Sequence, residues 1–213
     1  ANTVMQGTYT PATAFVGPGL LDADGKTPFI DNTPLFIDPN DYEGNLEKAK
    51  QLMVEAGYPN GEGLREIEYF TNQQGYHKPV AEALQQMWAE LGVKLNVQVA
   101  DWAVVTADRR QGNYDIARNG WVFDYNDPSS MLDLFTTTNG NNDGKYSNPE
   151  TARTTGDANV RFDSMHQAEQ IIMDEAGAIP VAFYSEFYLL NPKVKGFWHS
   201  PLGYFYFMYA TVE

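Results

Sequence analysis

Apolar spacing switches repeatedly between helical and strand periods from Asn45 onward, and this alternation restricts the chain to few architectures. Leu46, Ala49, Leu52, Met53 and Ala56 recur at helical spacing, and Gly57 stands where a C-terminal glycine stop belongs. Arg65 to Thr71 alternates as a strand beyond the turn Tyr58-Pro59-Asn60-Gly61. Val80, Ala83, Leu84, Met87, Trp88 and Leu91 trace a second helical face, stopped by Gly92. Val93, Leu95, Val97 and Val99 alternate again. Asp101 is placed to open a third helix, Trp102 to Gln111, stopped by Gly112, and Tyr114 to Arg118 reads as another strand. Helices and strands in strict turn with short connections predict an α/β fold, a twisted sheet flanked by helices.

Around this unit the pattern is looser. Residues 1–44 are rich in turn signals such as Gly17-Pro18-Gly19 and Asn32-Thr33-Pro34, and read as a loop-rich lead-in without a core of its own. Residues 45–193 read as the α/β lobe. Its later part holds a short helix from Ser129 to Phe135, a polar loop from Thr136 to Pro149 and a helix from Val160 to Ala176. Strands are expected at Ile179 to Tyr184 and Phe187 to Leu190. Residues 194–213 form an aromatic tail, with Phe197, Trp198, Tyr204, Phe205, Tyr206, Phe207 and Tyr209, which needs something to cover it.

Composition narrows the partners. The 213 residues carry 28 acidic and 14 basic side chains, a net charge of −14, which repels phosphate backbones and anionic lipid; no nucleic acid partner is expected. Cysteine is absent, which excludes disulfides, zinc–thiolate sites and thiol nucleophiles. Ala1 to Gly7 lacks the basic and apolar regions of a secretory leader, as a mature exported protein also would.

Open α/β sheets bind ligands beyond the carboxyl ends of their strands. The segment Arg118-Asn119-Gly120-Trp121-Val122-Phe123-Asp124-Tyr125-Asn126-Asp127-Pro128 occupies that place. Asp124 suits an ammonium group, Arg118 an anion, and Trp121 offers a flat apolar wall between them. Such a site fits a ligand charged at both ends, such as a peptide. Taken singly, Asp124 could be a turn carboxylate, Arg118 an exposed strand arginine and Trp121 a core residue. His77 opens a helix on the same sheet edge.

Asn139, Asn141, Asp143, Gly144 and Glu150 have the spacing of a calcium loop. Asn at its first position and Pro149 before Glu150 favour a solvated polar loop instead. His77, His166 and His199 lack metal-ligand spacing, no metal or cofactor is expected, and no motif of an enzyme nucleophile or nucleotide site is found. An acidic hydrolase using Asp124 and Asp127 as a carboxylate pair is the enzymatic alternative.

The run Asp115 to Pro128 resembles the signature of the peptide-binding receptors of bacterial ABC importers, of the oligopeptide, dipeptide and nickel type. Leu46 to Tyr58, Leu91 to Leu95 and Ala168 to Val181 resemble it in the same order. The resemblance implies a periplasmic-binding-protein-like lobe, with a mixed twisted sheet, that closes on a ligand without covalent chemistry. It also implies an exported protein, periplasmic or lipid-anchored, that delivers its ligand to a permease. Family members are much longer, so the chain resembles only their C-terminal lobe, with a tail that would return to a first lobe; the isolated lobe would then be open to self-association. By the same resemblance Asp124 pairs with a peptide ammonium. Arg109, Arg118 and His77 receive carboxylates, and Trp121, Val122 and Tyr125 line the ligand. Oligosaccharide, opine or nickel-complex receptors of the same fold are the other reading. Between Pro149 and Arg161 the chain is shorter than the family pattern.

Overall fold

The computed structural model describes residues 3–148, 157–200 and 202–213; the shortened region after Pro149 and the calcium-loop residue Glu150 lie outside them. Three helix–strand steps form the frame: α1 (Tyr42–Glu55), β2 (Ile67–Asn72), α2 (His77–Ala89), β3 (Leu95–Ala100), α3 (Trp102–Gln111) and β4 (Ile116–Ala117). A short β1 (Thr10–Pro11) precedes them. Helix α1 begins earlier than the apolar spacing predicts, because the Asp41 carboxylate accepts the Gly44 N–H at 2.9 Å. The glycine stops act as expected. Gly57, Gly92 and Gly112 all take positive φ, of 86°, 76° and 82°. Gly92 is further fixed by contact, since a Cβ there would lie 1.8 Å from the Asn60 carbonyl oxygen.

Strands β2, β3 and β4 form a parallel sheet in the order β3-β2-β4, with Ile67 opposite Leu95 and Phe70 opposite Ala117. Parallel pairing follows from the helical crossovers α2 and α3. Tyr69, Ala81 and Leu95 make its buried core, flanked by Ile67, Leu84, Trp88, Val97 and Ile116.

The rest of the chain packs around a second core. Helices α4 (Ser129–Leu132) and α5 (Ala158–Asp174) contribute Met131, Leu132, Met165 and Ile172. The lead-in contributes Val16, Leu20 and Phe29, which are among the least exposed side chains described, so this loop-rich segment shares a core with α4 and α5. Glu169 on α5 is fully buried. It accepts the N–H groups of Phe15 and Val16 at 2.8 and 2.7 Å and the Thr33 hydroxyl at 3.1 Å. Burial pushes the Glu169 carboxyl up, and these three donors offset part of that rise. His166 stacks on Phe29 with ring centres 3.9 Å apart and reaches Asp22 at 3.0 Å.

Two expected strands shrink or vanish. Only β5 (Ala182–Phe183) forms in the 179–184 run, pairing antiparallel with β1, and residues 187–190 form no strand. Leu189 there is fully exposed, and among the described residues no strand pairs with this run. The tail folds into two short antiparallel ladders, β6 (Val194–Lys195) with β9 (Thr211–Val212) and β7 (Trp198–His199) with β8 (Phe205–Tyr206). Parallel and antiparallel pairing therefore occupy separate ladders. No described helix is long and apolar enough to cross a membrane.

Candidate functional site

The carboxyl ends of the parallel strands bring three chain segments together. At the end of β2, Asn72 is buried and its Oδ1 lies 2.6 Å from Nδ1 of His77, the first residue of α2. Beyond β4, the Arg118 N–H donates to the Phe70 carbonyl at 2.8 Å, so the ladder carries Arg118 to the sheet edge. From the far end of the chain Tyr184, just after β5, sets its hydroxyl against the Arg118 guanidinium. Tyr184 and Tyr76 each meet Tyr9 edge-on, with ring centres 5.4 and 5.8 Å apart.

Electrostatics distinguish the two basic groups. Burial, reinforced by the Arg118 charge, drives the His77 imidazole down to about 4, so at neutral pH it is uncharged. Arg118 is also lowered by burial, with Tyr184 and Tyr69 opposing, and remains a cation. Gly120 lies close under both groups. A Cβ on Gly120 would lie 2.5 Å from the Tyr184 hydroxyl and 3.0 Å from an Arg118 guanidinium nitrogen.

The next residues alternate sides. Trp121 and Phe123 pack at the margin of the second core, while Val122 and Asp124 are exposed. Asp124 accepts the Trp121 indole N–H at 3.1 Å, and its own N–H donates to the Ser130 hydroxyl at 2.7 Å. Among the described residues it has no cationic partner. Tyr125 is exposed, with its hydroxyl 3.2 Å from that of Ser129. The local alternatives thus divide. Trp121 is at once a core-edge residue and a wall, whereas the carboxylate of the turn before α4 that is held in place is Asp127.

Asp127 receives both terminal nitrogens of Arg161 at 2.8 and 2.6 Å and the Ser129 N–H at 3.0 Å. Burial pushes its carboxyl up, but the Arg161 and Ser129 bonds outweigh it and leave it below the usual range. A carboxylate so occupied is unsuited to the hydrolytic pairing with Asp124.

Arg109 has different surroundings from Arg118. It is buried, its Nε donates to Asp143 at 2.6 Å, a terminal nitrogen reaches the Arg118 carbonyl at 3.3 Å, and the guanidinium lies over the Trp102 ring. Asp143, a member of the calcium-like loop, therefore faces an arginine. His199 lies 3.0 Å from Glu186, so each histidine has a protein partner.

Sequence reading brings His77, Arg118, Trp121, Val122, Asp124 and Tyr125 to one sheet edge and the turn after it. It misses Tyr76, although this residue directly precedes His77, and it misses Tyr9 and Tyr184, which lie in distant stretches with no local signal. Only the Gly-aromatic step at Gly120 hints that something approaches closely.

Comparison with known proteins agrees with this architecture. Residues 1–143 match the profile of the bacterial extracellular solute-binding proteins, family 5, middle region. The chain is 35% identical over 212 residues to the dipeptide-binding protein DppE of Bacillus subtilis, covering 94% of this chain and 37% of that protein. It is 31% identical over 215 residues to the oligopeptide-binding protein OppA of the same organism, covering 97% and 38%. The crystal structure of Haemophilus influenzae OppA in complex with RPPGFSPFR superposes with a TM-score of 0.71 at 29% identity, over 92% of this chain and 38% of that one. The chain spans well under half the length of these relatives. It belongs to the bacterial extracellular solute-binding proteins of family 5, a family of binding proteins.

Proposed function

We propose that this chain is the ligand-binding C-terminal lobe of the peptide receptor of an ABC importer, capturing short peptides by their termini and backbone. The observation that carries the reading is Asp124: an exposed carboxylate on an indole, without a cationic partner among the described residues, on the same strand exit as the Arg118 guanidinium. A peptide ammonium satisfies the first and a peptide carboxylate the second, so the two charges set register while the extended backbone is held without reading side chains. His77, being neutral, serves as a hydrogen-bond partner. Arg109 serves as the brace that fixes the Arg118 carbonyl.

A first lobe of the same parent chain closes the other side of the cleft, and the closed form is what a permease reads. On this reading 1–44 leads into the lobe, 45–193 forms it and 194–213 returns to the first lobe, in a protein exported to the periplasm or tethered by lipid. The names of DppE and OppA, a dipeptide- and an oligopeptide-binding protein, support a peptide ligand. In the isolated lobe the exposed tail residues Phe207, Met208 and Tyr209 drive self-association. Sedimentation velocity is expected to show concentration-dependent dimers, and a strictly monomeric species would contradict this. Replacement of Asp124 by alanine in the full-length parent tests the function itself, through loss of peptide affinity with the fold retained.

A further inference from the structure

The chain contains three Asn-Gly steps, Asn60-Gly61, Asn119-Gly120 and Asn139-Gly140. Asn-Gly is the dipeptide in which a backbone nitrogen most easily reaches the preceding side chain, because glycine adds no Cβ to hinder it. The fold treats the three differently. The Gly61 N–H is committed to the Tyr58 carbonyl at 2.9 Å, and Gly61 is wedged against Gly92, whose carbonyl oxygen would lie 2.2 Å from a Cβ. At Asn139 the side-chain oxygen accepts the N–H of Asn141 at 2.8 Å, one residue beyond the nitrogen that would have to attack. At Asn119 the side-chain oxygen accepts the N–H of Gly120 itself, at 2.8 Å. Both residues are exposed, and no other described group holds the Gly120 nitrogen or the Asn119 amide.

We propose that Asn119 is a site of intramolecular deamidation built into the ligand-facing strand exit. Hydroxide removes the Gly120 amide proton, and the nitrogen attacks Cγ of Asn119. The Cγ–Nδ2 bond breaks and ammonia leaves with a proton from water, closing a succinimide ring. Water then opens the ring at either carbonyl, giving aspartate or isoaspartate. No oxidant, metal or second protein is required. Each product places a carboxylate beside Arg118. The isoaspartyl product also inserts the side-chain methylene into the main chain between the Cα of residue 119 and the Gly120 nitrogen, lengthening the backbone beside the Arg118–Tyr184 contact. The consequence for ligand binding rests on the peptide reading; the deamidation itself does not.

The test is peptide-map mass spectrometry with isoaspartate detection, after incubation of the native chain at mildly alkaline pH, with a parallel sample in denaturant. The native chain is expected to lose its amide first at Asn119, with Asn60 and Asn139 lagging. In denaturant, where all three share the same local sequence step, the rates are expected to converge. Asn119 reacting no faster than Asn60 or Asn139 in the native chain overturns the proposal, as does an order that denaturant leaves unchanged. Asn119→Ser, which keeps a polar side chain without the amide, should abolish isoaspartate in a chymotryptic peptide that ends before Asn139; its persistence in that peptide also overturns the assignment. Peptide affinity of aged full-length parent, compared with aged Asn119→Ser parent, reads the functional consequence separately.

Discussion

Arg109 keeps its guanidinium between Asp143 and the Arg118 carbonyl, whereas Arg118 presents its own to Tyr184 at the sheet edge. The two arginines look equivalent in sequence, yet removing them should have different effects. Arg109→Met leaves Asp143 as a buried unpaired carboxylate, a loss of about 3–5 kcal/mol. Thermal or urea unfolding should show it, while Arg118→Met should leave stability nearly unchanged and weaken ligand binding. Equal destabilisation by both would remove the distinction. His77 gives a pH signature. Its folded pKa of about 4 lies below the usual 6.5, so its contribution to stability is full above 6.5 and is lost as pH falls toward 4. Urea unfolding at pH 7 and pH 4.5 should therefore show a smaller acid loss in His77→Gln than in the parent sequence. An unchanged acid loss would contradict the buried neutral imidazole. Neither fate was legible from local sequence, because Arg109 meets a partner 34 positions away and Tyr184 lies 66 positions from Arg118.

At the scale of elements, what the sequence made legible was what its neighbours in the chain decide. Helices α1 to α3 end where glycines adopt positive φ, and α3 runs from Trp102 to Gln111 as its spacing predicts. The run 187–190 has strand composition but no partner strand among the described residues, and β-propensity without pairing forms no strand. The lead-in was the least legible segment. Its turn signals are real, but Val16 bonds to Glu169 across 153 positions, and no periodicity announces that Val16, Leu20 and Phe29 fill a core. Phe29→Ala should accordingly cost about 3–5 kcal/mol. A denaturation midpoint unchanged by that substitution would return the segment to a loop-rich lead-in without a core. Of the candidate site, the strand-exit residues were readable because they are consecutive, and Tyr184, which meets the Arg118 guanidinium from 66 positions away, was not.

For the whole molecule, the chain aligns with 37% of the length of DppE, and on the proposed reading it supplies one face of a cleft. In that proposal its charged groups take the two ends of a short peptide, and the exposed tail residues Phe207, Met208 and Tyr209 meet the first lobe. The central claim is that Asp124 holds the peptide ammonium. It is tested most directly by calorimetric titration of the full-length parent and its Asp124→Ala variant, each with one short peptide, free and N-acetylated. Loss of a charge-assisted hydrogen bond of about 1.5–3 kcal/mol predicts a ten- to hundredfold weaker affinity for the free peptide, with the unfolding temperature unchanged. The acetylated peptide should bind both proteins alike. Undiminished affinity of the variant for the free peptide, or unfolding of the variant, would contradict the claim.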